Sequence, residues 1–129
     1  MIYLLDTHIL IWLAAKPEKL NKEVESIITN YNNDIYFSVA NIWEVAIKKA
    51  LKKIEIDPEL LRKGLFNNGF KELTLKGEHV LNTLKLPDMH QDPFDRILVS
   101  QARVENYTLI TADSKIIDSA SGYITIIKN

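Results

Sequence analysis

The chain has 129 residues, 47% of them hydrophobic, no cysteine and a formal net charge of −1. That length suits one domain around a single packed core, and the lack of cysteine excludes a disulfide framework, a thiolate zinc site and a cysteine nucleophile. With 16 basic and 17 acidic residues there is no overall positive field with which to grip nucleic acid, so any such binding must use a local patch. The opening Met1 to Asp6 run has no basic leader region, and no stretch nears the ~18 apolar residues of a membrane span. A cytoplasmic protein without membrane association is the expectation.

In chain order, short β-rich runs alternate with segments of helical periodicity, which predicts an α/β fold on a mostly parallel sheet of five strands. The expected strands are Ile2 to Leu5, Ile35 to Phe37, Phe70 to Leu75, Thr108 to Thr111 and Tyr123 to Ile127. Their continuous apolar character suits strands covered on both faces. Helices are expected to start near Thr7, Asn21, Val39, Pro58, Gly77 and Pro93, with a short one after Ser114. Nothing in the chain reads as a repeat, a low-complexity segment or a linker, so residues 1–129 form one domain.

Two helices carry sharp signals. From Val39 the apolar residues Val39, Ile42, Trp43, Ala46, Ile47, Ala50 and Leu51 follow the i, i+3, i+4, i+7 pattern of one buried stripe, with Ser38 placed as N-cap. Asn41, Glu44 and Lys48 lie off that stripe on a more polar face. In Asp92-Pro93-Phe94-Asp95, Asp92 can cap, Pro93 fits the first helical position and Asp95 falls in the first turn.

The chemistry lies in where acids fall relative to strand ends. Asp6 directly follows the first strand, Glu44 lies within two helical turns of the second, and Asp113 sits just beyond Thr111. In open parallel sheets ligands bind beyond the carboxyl ends of the strands, so these acids can converge, and the helix start at Asp92 and Asp95 can return to the same edge. Carboxylates that face one another cannot all stay ionised without a cation, and an all-oxygen set suits Mg²⁺ or Mn²⁺. Such an ion would polarise a phosphoryl oxygen and activate water, which phosphodiester hydrolysis requires.

Four segments then carry a resemblance: Leu5-Asp6-Thr7-His8-Ile9-Leu10-Ile11-Trp12, Ser38-Val39-Ala40-Asn41-Ile42-Trp43-Glu44, His90-Gln91-Asp92-Pro93-Phe94-Asp95-Arg96-Ile97-Leu98 and Leu109-Ile110-Thr111-Ala112-Asp113. In this order, spanning nearly the whole chain, they resemble the PIN-domain family in its branch of VapC-like toxins. The resemblance implies a three-layer α/β/α sandwich, dependence on Mg²⁺ or Mn²⁺, endonucleolytic cleavage of RNA, a homodimer, and inhibition by a small cognate antitoxin. It also implies an acidic quartet of Asp6, Glu44, Asp95 and Asp113. Asp6 and Asp95 are expected as the principal metal ligands, Glu44 and Asp113 as ligands directly or through water, and Thr7 and Thr111 as supporting hydroxyls. Asp92 is the alternative third acid.

Each acid also has a plain structural role open to it. Asp6, Asp92 and Asp113 could cap helices, as Asp57 before Pro58 does with no chemistry attached, and Glu44 could simply pair with Lys48 at i+4. Trp12 and Trp43 fall on apolar faces and are expected in the core, whereas His8 and His90 suit orientation or hydrogen bonding of the acids. The run Lys48, Lys49, Lys52 and Lys53 is either a solvated helix end or a guide for the RNA backbone, the latter most directly through Lys48, Lys49 and Lys52. Two other functions fit parts of the pattern. A metal-dependent phosphatase could use Asp6 as nucleophile but lacks a second Asp two residues on, and a noncatalytic interaction module would have no need of the quartet.

Overall fold

A computed structural model describing residues 1–129 carries five strands, seven α-helices and two single 3₁₀ turns. In chain order they are β1 (Ile2–Leu5), α1 (Thr7–Ala15), α2 (Lys22–Thr29), β2 (Asp34–Ser38), α3 (Val39–Ala50), α4 (Pro58–Asn67), β3 (Lys71–Leu73), α5 (Gly77–Asn82), α6 (Pro93–Glu105), β4 (Thr108–Thr111), α7 (Ser114–Ala120) and β5 (Ile126–Lys128). The 3₁₀ turns are Pro17–Lys19 and Thr83–Lys85. All strands run parallel in the order β3-β2-β1-β4-β5.

Successive side chains of a strand point to opposite faces, and here each face meets its own core. Tyr3, Leu5, Ile35, Phe37 and Ile110 join Ile9, Leu10, Val24, Val45, Leu61 and Leu65 on one side, so α1, α2 and α4 cover that face. Leu4 and Leu109 join Leu98, Val99, Ala102, Ile116 and Ala120 on the other, under α6 and α7. The result is the expected three-layer α/β/α sandwich, with the sheet parallel throughout. No helix is long and apolar enough to cross a membrane.

The two edge strands are shorter than their apolar runs suggest. Phe70 is buried ahead of β3 and Leu75 is exposed beyond it, while Ile124 packs into the core before β5 begins. In both runs apolar character reports burial, but only part of the run has a neighbouring strand with which to pair.

Helix α3 departs further from expectation. Its capping box forms as the spacing suggests, with the Ala40 N–H donating to Ser38 Oγ (3.0 Å) and the Ser38 N–H to Asn41 Oδ1 (2.6 Å). Its inner side, however, is Ala40, Asn41, Glu44 and Val45; of the apolar stripe Ile42 still packs against the core, but the rest turns outward, with Trp43 58% and Leu51 60% exposed. Trp43 therefore does not belong to the core; it meets the half-buried Phe94 ring edge-on, centroids 5.2 Å apart. The reason lies in where α3 sits. It touches α1 and α4 of one layer and α6 of the other, so it closes the end of the sandwich where polar groups must be accommodated. Trp12, by contrast, packs half-buried against the core.

This arrangement separates two substitutions that hydrophobicity alone would rank alike. Leu109→Ala, at a wholly buried central-strand position, should cost about 2–5 kcal/mol. Trp43→Ala should cost the monomeric chain less than about 1 kcal/mol, as an exposed site does. Urea denaturation of both variants checks this, and a Trp43→Ala loss equal to that of Leu109→Ala would contradict the outward face.

Candidate active site

The sheet order reverses between β1 and β4, the topological switch point at which open α/β sheets bind ligands beyond their carboxyl ends. Asp6 leaves β1 at that point, and its N–H donates to Ile110 O of β4 at 3.0 Å. Its side chain makes no cap for α1 and is buried, only 3% of the residue being exposed. The Thr111 hydroxyl donates to Asp6 Oδ2 (2.5 Å) and accepts the Asp113 N–H (3.0 Å), so one side chain ties two acids together. Burial raises the Asp6 pKa, and the nearby Glu44 adds to this; the Thr111 bond, His8 and the Thr7 N–H act in the opposite direction.

The second element is the inner face of α3. Because the Ser38 N–H can only donate, the Asn41 atom facing it must be the amide oxygen, which turns Asn41 Nδ2 toward Thr7. Nδ2 donates to Thr7 Oγ1 at 2.9 Å, and both residues are essentially inaccessible. Asn41 thus joins the start of α3 to the start of α1, one turn before Glu44 and one residue after Asp6. Sequence reasoning placed Asn41 on the polar face and assigned it no role; the signal was its position three residues after the N-cap Ser38. Glu44 is 7% exposed and pairs with Lys48 at 2.9 Å. Lys49 Nζ instead donates to Glu55 O (3.2 Å), and Lys52 lies at the helix end with a left-handed φ of 59°.

The third element is the start of α6. Asp92 Oδ1 accepts the N–H groups of Phe94 (2.9 Å) and Asp95 (3.4 Å), a cap that leaves Asp95 projecting from the first turn. Asp95 Oδ2 hydrogen bonds with His90 Nε2 at 2.6 Å. Burial, with further contributions from Asp6, Asp92 and Asp113, pushes the Asp95 carboxyl up to about 6, against the pull of the His90 bond. Asp113 caps α7 through Oδ1, which accepts from Lys115 N (2.8 Å) and Ile116 N (3.4 Å), so its second oxygen takes no part in the cap.

The quartet therefore shares one edge of the sheet as an electrostatic chain: Glu44 acts on Asp6, Asp6 on Asp95, and Asp113 on Asp95. The tightest group is His90, Asp95 and Asp113, which offer one ligand atom each within 4.8 Å of one another. Asp92 stands by, its carboxylate used as a cap. Buried and half-buried acids that face one another, with Asp6 and Asp95 holding their protons more tightly than usual, are a donor set that a divalent cation fits, since the ion removes the repulsion and replaces lost hydration.

The sequence matches the PIN domain over residues 3–121. The chain belongs to the PIN-domain family. No curated protein matches it in sequence, but solved PIN-domain folds align along almost its full length. It is similar to a chain of the VapBC2 complex of Rickettsia felis bound to promoter DNA (20% identity, TM-score 0.71, 99% of this chain and 98% of that one). It is similar too to a chain of VapBC-5 from Mycobacterium tuberculosis, a toxin-antitoxin system (14%, 0.64, 99% and 98%). A third likeness is to a toxin-antitoxin complex from Klebsiella pneumoniae (19%, 0.64, 98% and 96%). At these identities the likeness establishes the PIN fold.

The Asp95 shift has a direct consequence for stability. A carboxyl whose folded-state value lies at about 6 rather than 3.8 is harder to ionise in the folded protein, so folding loses stability as pH rises through that interval. Asp95→Asn abolishes the loss. In EDTA, urea titrations should give similar stabilities for variant and wild type near pH 3.5, with the variant gaining relative to wild type up to about pH 6 and the gap constant above. A gap independent of pH would contradict the shift.

Proposed function

We propose that this PIN domain is a metal-dependent endoribonuclease that hydrolyses RNA phosphodiester bonds in the cytoplasm as the toxin of a toxin–antitoxin pair. The observation that carries the reading is the Asp6 carboxylate, buried at the switch point between β1 and β4 with Glu44, Asp95 and Asp113 acting on it or on its neighbour. Burying one acid among others costs stability in the absence of a ligand, and such sites are kept where the chemistry needs them. Asp6 and Asp95 serve as principal ligands of Mg²⁺ or Mn²⁺, with Glu44 and Asp113 direct or through water. The ion, when bound, supplies charge neutralisation at phosphorus and activation of the attacking water. The protein's part is positional: Thr111 holds Asp6 and Asp113 in register, Asn41 and Thr7 fix α3 against α1, and Lys48, Lys49 and Lys52 lead the RNA backbone toward the acids.

The reading includes two partners. An antitoxin segment would cover the carboxyl edge of the sheet, where the acids lie, and meet them with an Arg or Lys. Support comes from the toxin-antitoxin complexes in which related folds occur. A second copy of the chain would cover the outward stripe of α3, where Trp43, Ile47 and Leu51 are exposed and Trp43 shares a surface groove with Val80 of α5. Exposed apolar area of this extent marks an association surface.

Purified protein freed of partner should cleave single-stranded RNA with Mg²⁺ or Mn²⁺ and stop in EDTA. Cleavage in EDTA leaving 2′,3′-cyclic ends would overturn the mechanism, since the RNA's own hydroxyl would then be the nucleophile. At a hundredfold excess of Mn²⁺ over its Kd, wild type should gain roughly 2.7 kcal/mol of stability. Asp95→Asn should lose most of that gain and the activity, whereas Asp92→Asn, still able to cap, should keep both. The reverse pattern would make Asp92 the third acid.

Association is tested separately. Light scattering should give a dimer at micromolar concentration and a monomer for Trp43→Glu; a wild-type monomer would exclude the homodimer.

A further inference from the structure

The three histidines of the chain are used in different ways. His79 is fully buried and both ring nitrogens are engaged: Nδ1 accepts the Lys76 N–H at 3.0 Å, and Nε2 meets Glu105 Oε2 at 2.7 Å. The accepting Nδ1 fixes the tautomer, so Nε2 carries the proton and cannot offer a lone pair. Although Glu78, His79 and Glu105 lie close enough together to suggest a metal site, His79 is a latch between α5 and α6. His8 is exposed on α1.

His90 differs from both. Its Nε2 hydrogen bonds with Asp95 Oδ2 at 2.6 Å, and its Nδ1 is buried without any hydrogen-bond partner. No second contact therefore fixes which nitrogen bears the proton. Moving that proton from Nε2 to Nδ1 gives up the hydrogen bond to Asp95 and leaves a buried N–H in place of a buried lone pair at Nδ1, and it turns the Nε2 lone pair to the same space that Asp95 and Asp113 face, where an ion replaces the lost bond. An oxygen from each of these acids and a nitrogen of His90 already lie within 4.8 Å of one another. Ligands about 2.1 Å from a common ion at right angles are about 3 Å apart, so the 2.6 Å N···O separation needs only to widen by a few tenths of an ångström. Asp113, held at Oδ1 by the start of α7, has its other oxygen free to complete the set.

We propose that His90 is a metal ligand, supplying through Nε2 the one nitrogen in the otherwise all-carboxylate site. The proposal rests on the metal-binding reading of the quartet and deepens it, because an imidazole changes which ion the site prefers. Mg²⁺ takes oxygen ligands and keeps its waters, whereas Mn²⁺ and the later first-row ions accept nitrogen readily. The Asp95–Asp113 side of the site therefore selects Mn²⁺ over Mg²⁺.

Mn²⁺ bound to tag-free protein is the probe, read by pulsed electron paramagnetic resonance with histidine labelled by ¹⁵N. Wild type should show coupling to a directly bound imidazole nitrogen. The coupling should vanish in His90→Gln and persist in His8→Gln. Equilibrium titrations should find Mn²⁺ binding weakened about tenfold or more in His90→Gln, with Mg²⁺ binding changed less than about threefold. Mn²⁺ bound by wild type without nitrogen coupling would overturn the assignment while leaving the carboxylate site intact, as would coupling that survives His90→Gln. Equal losses of Mn²⁺ and Mg²⁺ affinity would overturn the selectivity. Failure of wild type to bind Mn²⁺ at all would remove the quartet reading as well, so the two failures are told apart.

Discussion

The bond from the Thr111 hydroxyl to the Asp6 carboxylate is the contact on which the site depends. A buried carboxylate surrounded by other acids can persist at the centre of a hydrophobic sheet only if something donates to it, and a hydrogen bond to a charged group contributes about 1.5–3 kcal/mol. Thr111 can donate because β4 lies beside β1 in register, Leu5 opposite Ile110, which brings the first residue after one strand against the last residue of the other. The same hydroxyl accepts from the Asp113 backbone and sets the start of α7. Strand pairing, carboxylate position and helix start are thus fixed by one side chain, and the apolar cores on the two faces supply the rigidity that keeps it in place.

The remaining acids arrive on helices that have other work to do. Asp113 caps α7 and Asp92 caps α6, in the same manner as Asp57, whose Oδ1 accepts from Glu59 and Leu60 far from any acid cluster. Capping and chemistry are therefore not alternatives at Asp113: one oxygen can serve the helix and the other the site. Glu44 likewise both pairs with Lys48 and acts on Asp6.

Much of this was legible in the sequence for a physical reason. A strand buried on both faces is an unbroken apolar run, so its end is visible as the first acid, and Asp6 and Asp113 stand at such ends. Pro93 after Asp92 announces a helix start, which locates Asp95 in a first turn. What could not be read is which side of an amphipathic helix faces inward. The periodicity of α3 correctly reports a helix with one apolar stripe, but a helix at the end of a sandwich turns Asn41 and Glu44 inward beside the core residue Val45, and Trp43 goes outward. His90 was expected to hydrogen bond the acids and does so at Asp95; because it reaches it from a loop whose path no periodicity records, the choice of Asp95 over Asp92, nearer in sequence, could not be read.

The β1–β4 pairing joins residues at opposite ends of the chain, Asp6 and Thr111 being 105 positions apart. Contacts of such separation form late, because most of the chain must be ordered before they close. During synthesis, the first acid and the helix bearing Glu44 emerge well before the strand that completes their surroundings. A growing chain therefore displays Asp6 as an ordinary solvated carboxylate with nothing to converge on it. The acidic constellation comes into existence only when translation has passed residue 113, so the ribonuclease proposed above would be silent for most of the time it is attached to the RNA that encodes it.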